Sequence, residues 1–139
     1  MTVFLDTAVL MYAAGGEHPL RDPCRAVLRR VTDGNLEAVI SAESVQEILH
    51  RFTRIGRRAE GVALANAALD LFAPVLPITH ALMRRLPALI EQHPSLAARD
   101  LVHVATCLQE GITDIVSPDR GFDTVPGIRR IDPADCEAV

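Results

Sequence analysis

The stretch MTVFLDTAVLMYAAGG, residues 1–16, passes from a short apolar run into a segment of helical period. Residues 3–5 are predicted as a buried strand and residues 7–14 as the helix that follows it, with Asp6 at the junction. The pair Gly15 and Gly16 stands where that helix is expected to end. A buried strand that runs directly into a helix is the repeating unit of α/β proteins, so this stretch sets the expected fold.

The same alternation continues to the end of the chain. Further strands are predicted at residues 38–40, 75–78, 115–116 and 128–131, and Pro77 places the second of these at an edge of the sheet. Further helices are predicted at residues 19–32, 42–54, 58–71, 80–92 and 97–109. We expect an α/β/α sandwich made by one domain, residues 1–139, with a central, mostly parallel sheet of four or five strands flanked by helices.

The composition fits one compact soluble domain. The chain has 139 residues, of which 49% are hydrophobic and 23% charged, enough to bury a core without a disulfide or a structural metal. The three cysteines, Cys24, Cys107 and Cys136, form no CxxC pair or Cys/His ladder. Since the first residues do not resemble a signal peptide and no apolar stretch is long enough to span a membrane, we expect a cytoplasmic protein.

The basic residues exclude several classes of enzyme. All 14 are arginines, and the 18 acidic residues give a net charge of −4. Without lysine, the chain cannot form a Walker A phosphate loop, a Schiff-base enzyme or a phosphoaccepting domain that pairs an aspartate with a lysine. Because the bulk charge is acidic, any binding to nucleic acid must depend on local basic patches.

Acidic side chains recur where the predicted strands end and helices begin. They are Asp6, Glu43, Glu47, Asp100, Asp119 and Asp123. Taken singly, each is explained by helix capping or by a favourable interaction with a helix dipole. Taken together at the carboxyl edge of a parallel sheet, they would repel one another unless a cation neutralised them. Carboxylate oxygens without histidine or cysteine partners favour Mg²⁺ or Mn²⁺.

The order and spacing of these residues resemble those of PIN domains, and among them the VapC-type toxins of bacterial toxin–antitoxin pairs. The matching pieces are Asp6 in VFLDT, Glu47 in ISAESVQEIL, Asp100 in RDLVHVAT and Asp119 in SPDRGFD, with Ser117 in the hydroxyl position. The resemblance covers essentially the whole chain. Two alternatives stay open, because Glu43 competes with Glu47, and Asp123 could assist or replace Asp119.

The resemblance implies a Mg²⁺-dependent endoribonuclease, with Mn²⁺ as a substitute, in which Asp6, Glu47, Asp100 and Asp119 hold the metal and Ser117 orients an acid or a water. It also implies hydrolysis of structured RNA, such as tRNA or rRNA, by metal-activated water. The implied partners are a cognate VapB-type antitoxin and a second copy of the chain in a homodimer, with no membrane association. The alternatives are a PIN nuclease of RNA maturation or DNA processing, and an inactive PIN-fold binding module, which the presence of the acids disfavours.

Arginines near these acids are the candidates for holding RNA phosphates. Arg51 and Arg54 lie at the end of the helix that carries Glu47, while Arg99 and Arg120 flank two of the proposed ligands. A solvated helix end is the alternative explanation for the first pair. His103, three residues after Asp100, is expected to be a packed histidine hydrogen-bonded near the site rather than a ligand.

Overall fold

A parallel sheet lies between two layers of helices in the fold, which a computed structural model describes for residues 1–138. Within these residues the strands are β1 (Thr2–Leu5), β2 (Glu37–Val39), β3 (Asp114–Val116) and β4 (Arg129–Ile131). They are arranged in the order β2-β1-β3-β4, and every neighbouring pair is parallel. The predicted α/β/α sandwich with a mostly parallel sheet is confirmed.

Helices pack on both faces of this sheet. In the described part of the chain they are α1 (Thr7–Ala14), α2 (Arg21–Thr32), α3 (Ala42–Arg54), α4 (Arg58–Leu71), α5 (His80–Met83), α6 (Leu86–Gln92) and α7 (Ala98–Glu110). Two short 3₁₀ helices, η1 (Arg120–Thr124) and η2 (Pro133–Ala138), follow β3 and β4. The helices α1 to α4 contribute to one apolar core, and α5 to α7 contribute to the other.

The first strand joins the two cores. Val3 and Leu5 belong to the core of the α1–α4 layer and Phe4 belongs to the opposite core, and all three side chains are completely buried. Side chains alternate between the faces of a strand, so a central strand covered on both sides consists of consecutive apolar residues. The carboxyl end of β1 is thereby fixed between the two layers, and Asp6 follows it directly.

The close packing of α3 against α4 depends on a glycine. A Cβ atom placed on Gly61 of α4 would lie 2.5 Å from the Cβ atom of Phe52 on α3. Because the two helices approach so closely there, α4 supports the helix that carries Glu47.

Two predictions about the middle of the chain are wrong. Residues 75–78 form no strand; Leu76 alone makes an isolated bridge with Ser41, in which Leu76 N donates to Ile40 O and Ala42 N donates to Leu76 O. The next residue, Pro77, has no N–H group with which to extend the pairing. The helix predicted at residues 80–92 is two helices, α5 and α6, because Pro87 in the first turn of α6 interrupts the hydrogen bonding.

Other expectations are met in part. The fifth candidate strand, at residues 128–131, is present as β4. All three cysteines are free and buried. Among the described residues, no helix has the length and apolar character needed to cross a membrane.

Candidate active site

Asp6 is held at the carboxyl end of β1 by a residue that directly follows the neighbouring strand. The Ser117 hydroxyl, just beyond β3, donates a 2.7 Å hydrogen bond to Asp6 Oδ2. Asp6 occupies the N-cap position of α1 and, within the described residues, makes no side-chain capping hydrogen bond, although the backbone N–H of Thr7 contributes to lowering its pKa. Capping alone therefore does not explain this acid, and Ser117 is placed where it orients the carboxylate.

Glu47 faces the same site from α3. The helix is capped by Ser41, whose hydroxyl accepts a 3.0 Å hydrogen bond from Glu43 N, so Glu47 is not needed in a capping box. Glu47 Oε1 lies 2.7 Å from His103 Nε2 and 3.1 Å from Thr7 Oγ1, and only 14% of its side chain is exposed. Its other oxygen, Oε2, lies 3.8 Å from Arg99 Nε.

Asp100 provides the clearest electrostatic sign that the carboxylates meet. It lies in the first turn of α7, and its pKa is raised to about 6. Burial is the largest cause, and the charges of Asp6, Asp119 and Glu47 raise the pKa further, while His103 opposes them. An ordinary first-turn acid would instead have its charged form favoured by the helix dipole. The structure thus brings together all four acids that the resemblance selected.

The pKa values of two further carboxylates are also raised. Burial raises that of Asp6, Glu47 adds to the effect, and His103 and the Ser117 hydrogen bond oppose it. Burial and the charge of Glu47 raise the pKa of Glu43, with His103 and Arg99 opposing. Glu43 therefore borders the cluster through Glu47, which has the contacts with Thr7 and His103.

The fourth acid lies on a short, tightly turned segment after β3. Asp119 is the N-cap of η1, where its Oδ1 accepts a 2.8 Å hydrogen bond from Gly121 N, and its own N–H donates to Ser117 Oγ at 3.0 Å. Asp123 is not brought to the cluster. Its carboxylate is paired with Arg130, whose Nε donates to Asp123 Oδ1 at 2.9 Å. The structure therefore favours Asp119 over Asp123 as the acid from this segment.

His103 has the predicted role of a packed histidine beside the site. It is completely buried, and its Nε2 lies 3.3 Å from Thr7 Oγ1 and 3.9 Å from Asp6 Oδ1 besides the contact with Glu47. Burial lowers its pKa, but the Glu47 hydrogen bond and the charges of Asp6, Glu47 and Asp100 outweigh this, so the pKa is raised. Within residues 1–138, Nδ1 has no hydrogen-bond partner.

Two hydroxyls in this network were not foreseen from the sequence. The Thr7 hydroxyl lies 2.9 Å from the Ser44 hydroxyl, and both groups are buried. A signal for them exists, because Thr7 directly follows Asp6, and Ser44 lies one helical turn before Glu47 on the same face. Hydroxyl residues at these positions are common helix caps, so their contacts with the acids do not stand out in the sequence.

A groove of about 820 Å³ runs from Glu47 between α1 and the second half of α3. Its polar lining residues include Tyr12, Gln46, Glu47, His50, Arg51, Arg54, Arg57 and Arg99. Three of the four arginines proposed for RNA thus line one groove. The fourth, Arg120, lies on η1 next to Asp119 and does not line it.

The carboxylates lie near one another but do not surround a position for an ion. Within residues 1–138, no three His, Cys, Asp or Glu side chains are spaced to coordinate a metal as they stand. One oxygen of Asp6 and one of Glu47 are already engaged in hydrogen bonds. The donor atoms are nevertheless those that Mg²⁺ prefers, and Mg²⁺ is usually held by one or two carboxylates, with water and phosphate completing its shell. The residues present therefore fit an open Mg²⁺ site.

Comparison with known proteins gives the family of the chain. Residues 3–128 match the family model of the PIN domain. The chain is 33% identical over 129 residues to the VapC ribonuclease Mb1869c of Mycobacterium bovis, covering 93% of this chain and 98% of that protein.

Two solved structures share the fold. A toxin–antitoxin complex from Klebsiella pneumoniae gives a TM-score of 0.68 at 17% identity, over 94% of this chain and 97% of that chain. VapC20 of Mycobacterium tuberculosis, described as a toxin that cleaves the sarcin-ricin loop, gives a TM-score of 0.71 at 16% identity. The match covers 85% of this chain and 90% of that chain. Since the sequence relative shares a third of its residues over nearly the whole length, the chain belongs to the PIN domain family and, within it, to the VapC ribonucleases.

Proposed function

We propose that this protein is a Mg²⁺-dependent endoribonuclease that cleaves structured RNA and is neutralised by a cognate antitoxin. The observation that carries the proposal is the meeting of Asp6, Glu47, Asp100 and Asp119, from four separate segments, with the pKa of Asp100 raised to about 6. Carboxylates in such proximity destabilise one another, and a bound cation removes that cost. This cost to the fold supports the proposal that the site takes a cation.

The four carboxylates would hold the metal, with Mn²⁺ as a substitute for Mg²⁺. When bound, the ion supplies a water of lowered pKa for attack on the phosphorus and stabilises charge on the phosphate oxygens. Glu47 has one oxygen engaged by His103 and Thr7, which suits a contact made through water. Such a role leaves Asp6, Asp100 and Asp119 as the candidates for direct contact.

The remaining residues of the site orient these groups and hold the substrate. Ser117 fixes Asp6, and Thr7 and His103 fix Glu47. Arg51 and Arg54, which have no side-chain partner in the described part of the chain, present guanidinium groups to the groove that begins at Glu47. These groups would bind the phosphates that the acids repel.

The choice of substrate and partner rests on relatives. VapC20 is described as cleaving the sarcin-ricin loop, which supports a structured RNA substrate. The Klebsiella pneumoniae structure is a toxin–antitoxin complex, which supports an antitoxin as the natural inhibitor. A homodimer completes the proposal and is supported by α4, where Val62, Leu69 and Leu71 remain exposed.

The test is cleavage of total cellular RNA by the purified protein with Mg²⁺, with Mn²⁺ and with EDTA. We expect discrete fragments with 5′-phosphate ends that require metal and are lost in Asp100→Asn and Glu47→Gln. Asp70→Asn and Glu110→Gln are matched controls, because they remove exposed acids from α4 and from the far end of α7. Both controls should cut as the unmodified protein does.

Three results would overturn the proposal. Fragments ending in 2′,3′-cyclic phosphate would show that an RNA hydroxyl, not water, attacks the phosphorus. Metal-dependent cutting of DNA in preference to RNA would assign the protein to the DNA-processing alternative. A folded protein that binds Mn²⁺ but cuts neither nucleic acid would indicate the inactive binding module.

A further inference from the structure

Arg130 connects the two ends of the segment that carries Asp119. This residue lies on β4, and its side chain is only 12% exposed. Its Nη1 donates a 3.0 Å hydrogen bond to the carbonyl oxygen of Ser117, at the start of the segment. Its Nε and Nη2 donate to the two oxygens of Asp123, at 2.9 and 3.4 Å, on η1. One guanidinium group therefore spans seven residues of chain.

Ser117 is the point from which this segment acts on the site. Its hydroxyl donates to Asp6 Oδ2 and accepts from Asp119 N, and its backbone N–H donates to Ile131 O at 3.0 Å. With the contact from Arg130, every polar group of Ser117 is engaged. A shift of Ser117 would therefore move both Asp6 and Asp119.

Asp119 depends on this support more than the other acids do. Of the four described carboxylates of the cluster it is the exposed one, and its own side-chain contact, with Gly121 N, lies within the same turn. A contact within the turn fixes the carboxylate relative to η1 but not η1 relative to the sheet. The buried ring of Phe122 anchors the middle of η1 in the α5–α7 core. The hydrogen bonds of Arg130 add a polar connection that runs from β4 to both ends of the segment.

We propose that Arg130 is a positioning residue for the nuclease site, which holds the Ser117–Asp123 segment so that Ser117 and Asp119 keep their places beside Asp6. The inference rests on the proposed function for its consequence, but not for its geometry. It also assigns a purpose to Asp123, as the anchor of Arg130. Arg130 lies beyond residues 3–128, the part that matches the PIN domain model.

A second arginine on β4 provides a matched control. Arg129 makes a comparable two-pronged pair with Asp114, with both distances at 2.9 Å. Asp114 lies on β3, three residues before Ser117, but the pair makes no contact with the Ser117–Asp123 segment in the described residues. Asp114→Asn therefore weakens a contact between β3 and β4 that does not involve the segment, while Asp123→Asn weakens the contact between Arg130 and the far end of the segment.

The test compares Arg130→Gln, Asp123→Asn and Asp114→Asn with the unmodified protein by two measurements. The first is amide hydrogen exchange at Asp119 and Gly121, whose N–H groups donate within the turn. The second is the dissociation constant for Mn²⁺, followed by the paramagnetic resonance of the free ion. We expect faster exchange and about tenfold weaker Mn²⁺ binding in Arg130→Gln and Asp123→Asn, since residues that orient metal ligands typically matter by that factor. Asp114→Asn should change neither.

The outcomes separate this inference from the proposed function. Exchange at Asp119 and Gly121 that is unchanged in Arg130→Gln and Asp123→Asn would overturn it, as would an equal loss of Mn²⁺ binding in Asp114→Asn. If the unmodified protein binds no Mn²⁺ or cuts no RNA, the proposed function fails, and the exchange measurement still decides whether Arg130 holds the segment. If Asp123→Asn alone is folded, as judged by thermal unfolding, it decides the question by itself.

Discussion

His103 Nε2 lies 2.7 Å from Glu47 Oε1, in a position where no part of the histidine ring reaches solvent. The contact joins α7 to α3, and so it connects the helix that carries Asp100 with the helix that carries Glu47. Asp6 Oδ1 is 3.9 Å from the same nitrogen. One imidazole therefore moderates the repulsion among the acids.

Replacing His103 with glutamine should change the pH dependence of stability. The folded pKa of His103 is raised above its ordinary value of 6.5 by Glu47, Asp6 and Asp100 against the opposing effect of burial. Its contribution to stability is therefore complete below pH 6.5 and is lost as the pH rises through the folded pKa. We expect His103→Gln to lower the free energy of unfolding most at acidic pH and least at alkaline pH.

The measurement is urea unfolding of the metal-free protein across this pH range. The exposed histidine of α5 provides the control, because His80→Gln should produce no such trend. A stability difference between His103→Gln and the unmodified protein that grows as the pH rises would contradict the assignment.

Removing the charge of Asp100 should stabilise the metal-free fold while abolishing the site. The folded pKa of about 6, against an ordinary 3.8, means that the folded state holds this proton more tightly than the unfolded chain does. The free energy of unfolding thus falls as the pH rises from 3.8 through 6, and this loss of stability remains at neutral pH. After allowance for the partial exposure of the group, Asp100→Asn should gain about 1 kcal/mol at pH 7.5.

Bound metal should reverse the order of stability of Asp100→Asn and the unmodified protein. Saturating Mn²⁺ stabilises a protein that binds it, by about 2.7 kcal/mol at one hundred times the dissociation constant, so the unmodified protein should overtake Asp100→Asn. Thermal unfolding without Mn²⁺ checks the expected gain of Asp100→Asn, and thermal unfolding with Mn²⁺ checks its reversal. Were Asp100→Asn less stable without metal, the carboxylate would be a structural group, and Glu110→Gln from the same helix gives the baseline.

The contact between α3 and α4 makes an unusual prediction for a helical glycine. Alanine in place of glycine normally stabilises a helix by up to about 1 kcal/mol. At Gly61 the new methyl group would lie 2.5 Å from Phe52 Cβ, which cannot yield without a shift of the helix. We expect Gly61→Ala to lower the free energy of unfolding by about 1–3 kcal/mol, because overpacking costs that much.

Chemical denaturation measures this change directly. Ala63→Ser, on the exposed face of α4, serves as the control and should stay within about 0.5 kcal/mol. A Gly61→Ala protein that is more stable than the unmodified one would show that the helices are free to separate there.

Local patterns were sufficient to predict most of the helices and strands and the acids that stand at their ends. The apolar run before Asp6 and the helical period around Glu47 and Asp100 are local signals, and parallel topology brings their ends together. The β-branched and apolar residues at 75–78 predict a strand, whereas in the fold only Leu76 pairs, through an isolated bridge. Intrinsic preference was overridden by tertiary context.

The contacts of Asp123 and His103 show what local patterns do not reveal. Asp123 follows β3 closely enough to be a plausible metal ligand. Only the position of β4 shows that its carboxylate is paired with Arg130. Similarly, the hydrogen bond of His103 to Glu47 joins residues 56 positions apart. Such pairings depend on the register of the sheet and on the crossing of helices, which no short motif records.

The groove beside Glu47 leads to a prediction about how RNA is held. Arg51 and Arg54 line it and are exposed, so each can bind a phosphate without breaking a contact in the described part of the chain. Each phosphate contact to a single strand contributes about 0.7 to the slope of log affinity against log salt concentration. Losing both should therefore weaken binding and lower that slope by about 1.4.

The double variant Arg51→Gln with Arg54→Gln tests this in the Asp100→Asn background, where the RNA is not cut. Its matched control is Arg84→Gln with Arg85→Gln, which removes the same net charge from exposed positions around α5 and α6. RNA binding is measured by fluorescence anisotropy at several salt concentrations. Only the groove variant should show the smaller slope of log affinity against log salt concentration, because its arginines lie beside the acids. An equal loss in the control would mean that RNA responds to net charge alone, and the groove would then have no part in placing the scissile phosphate.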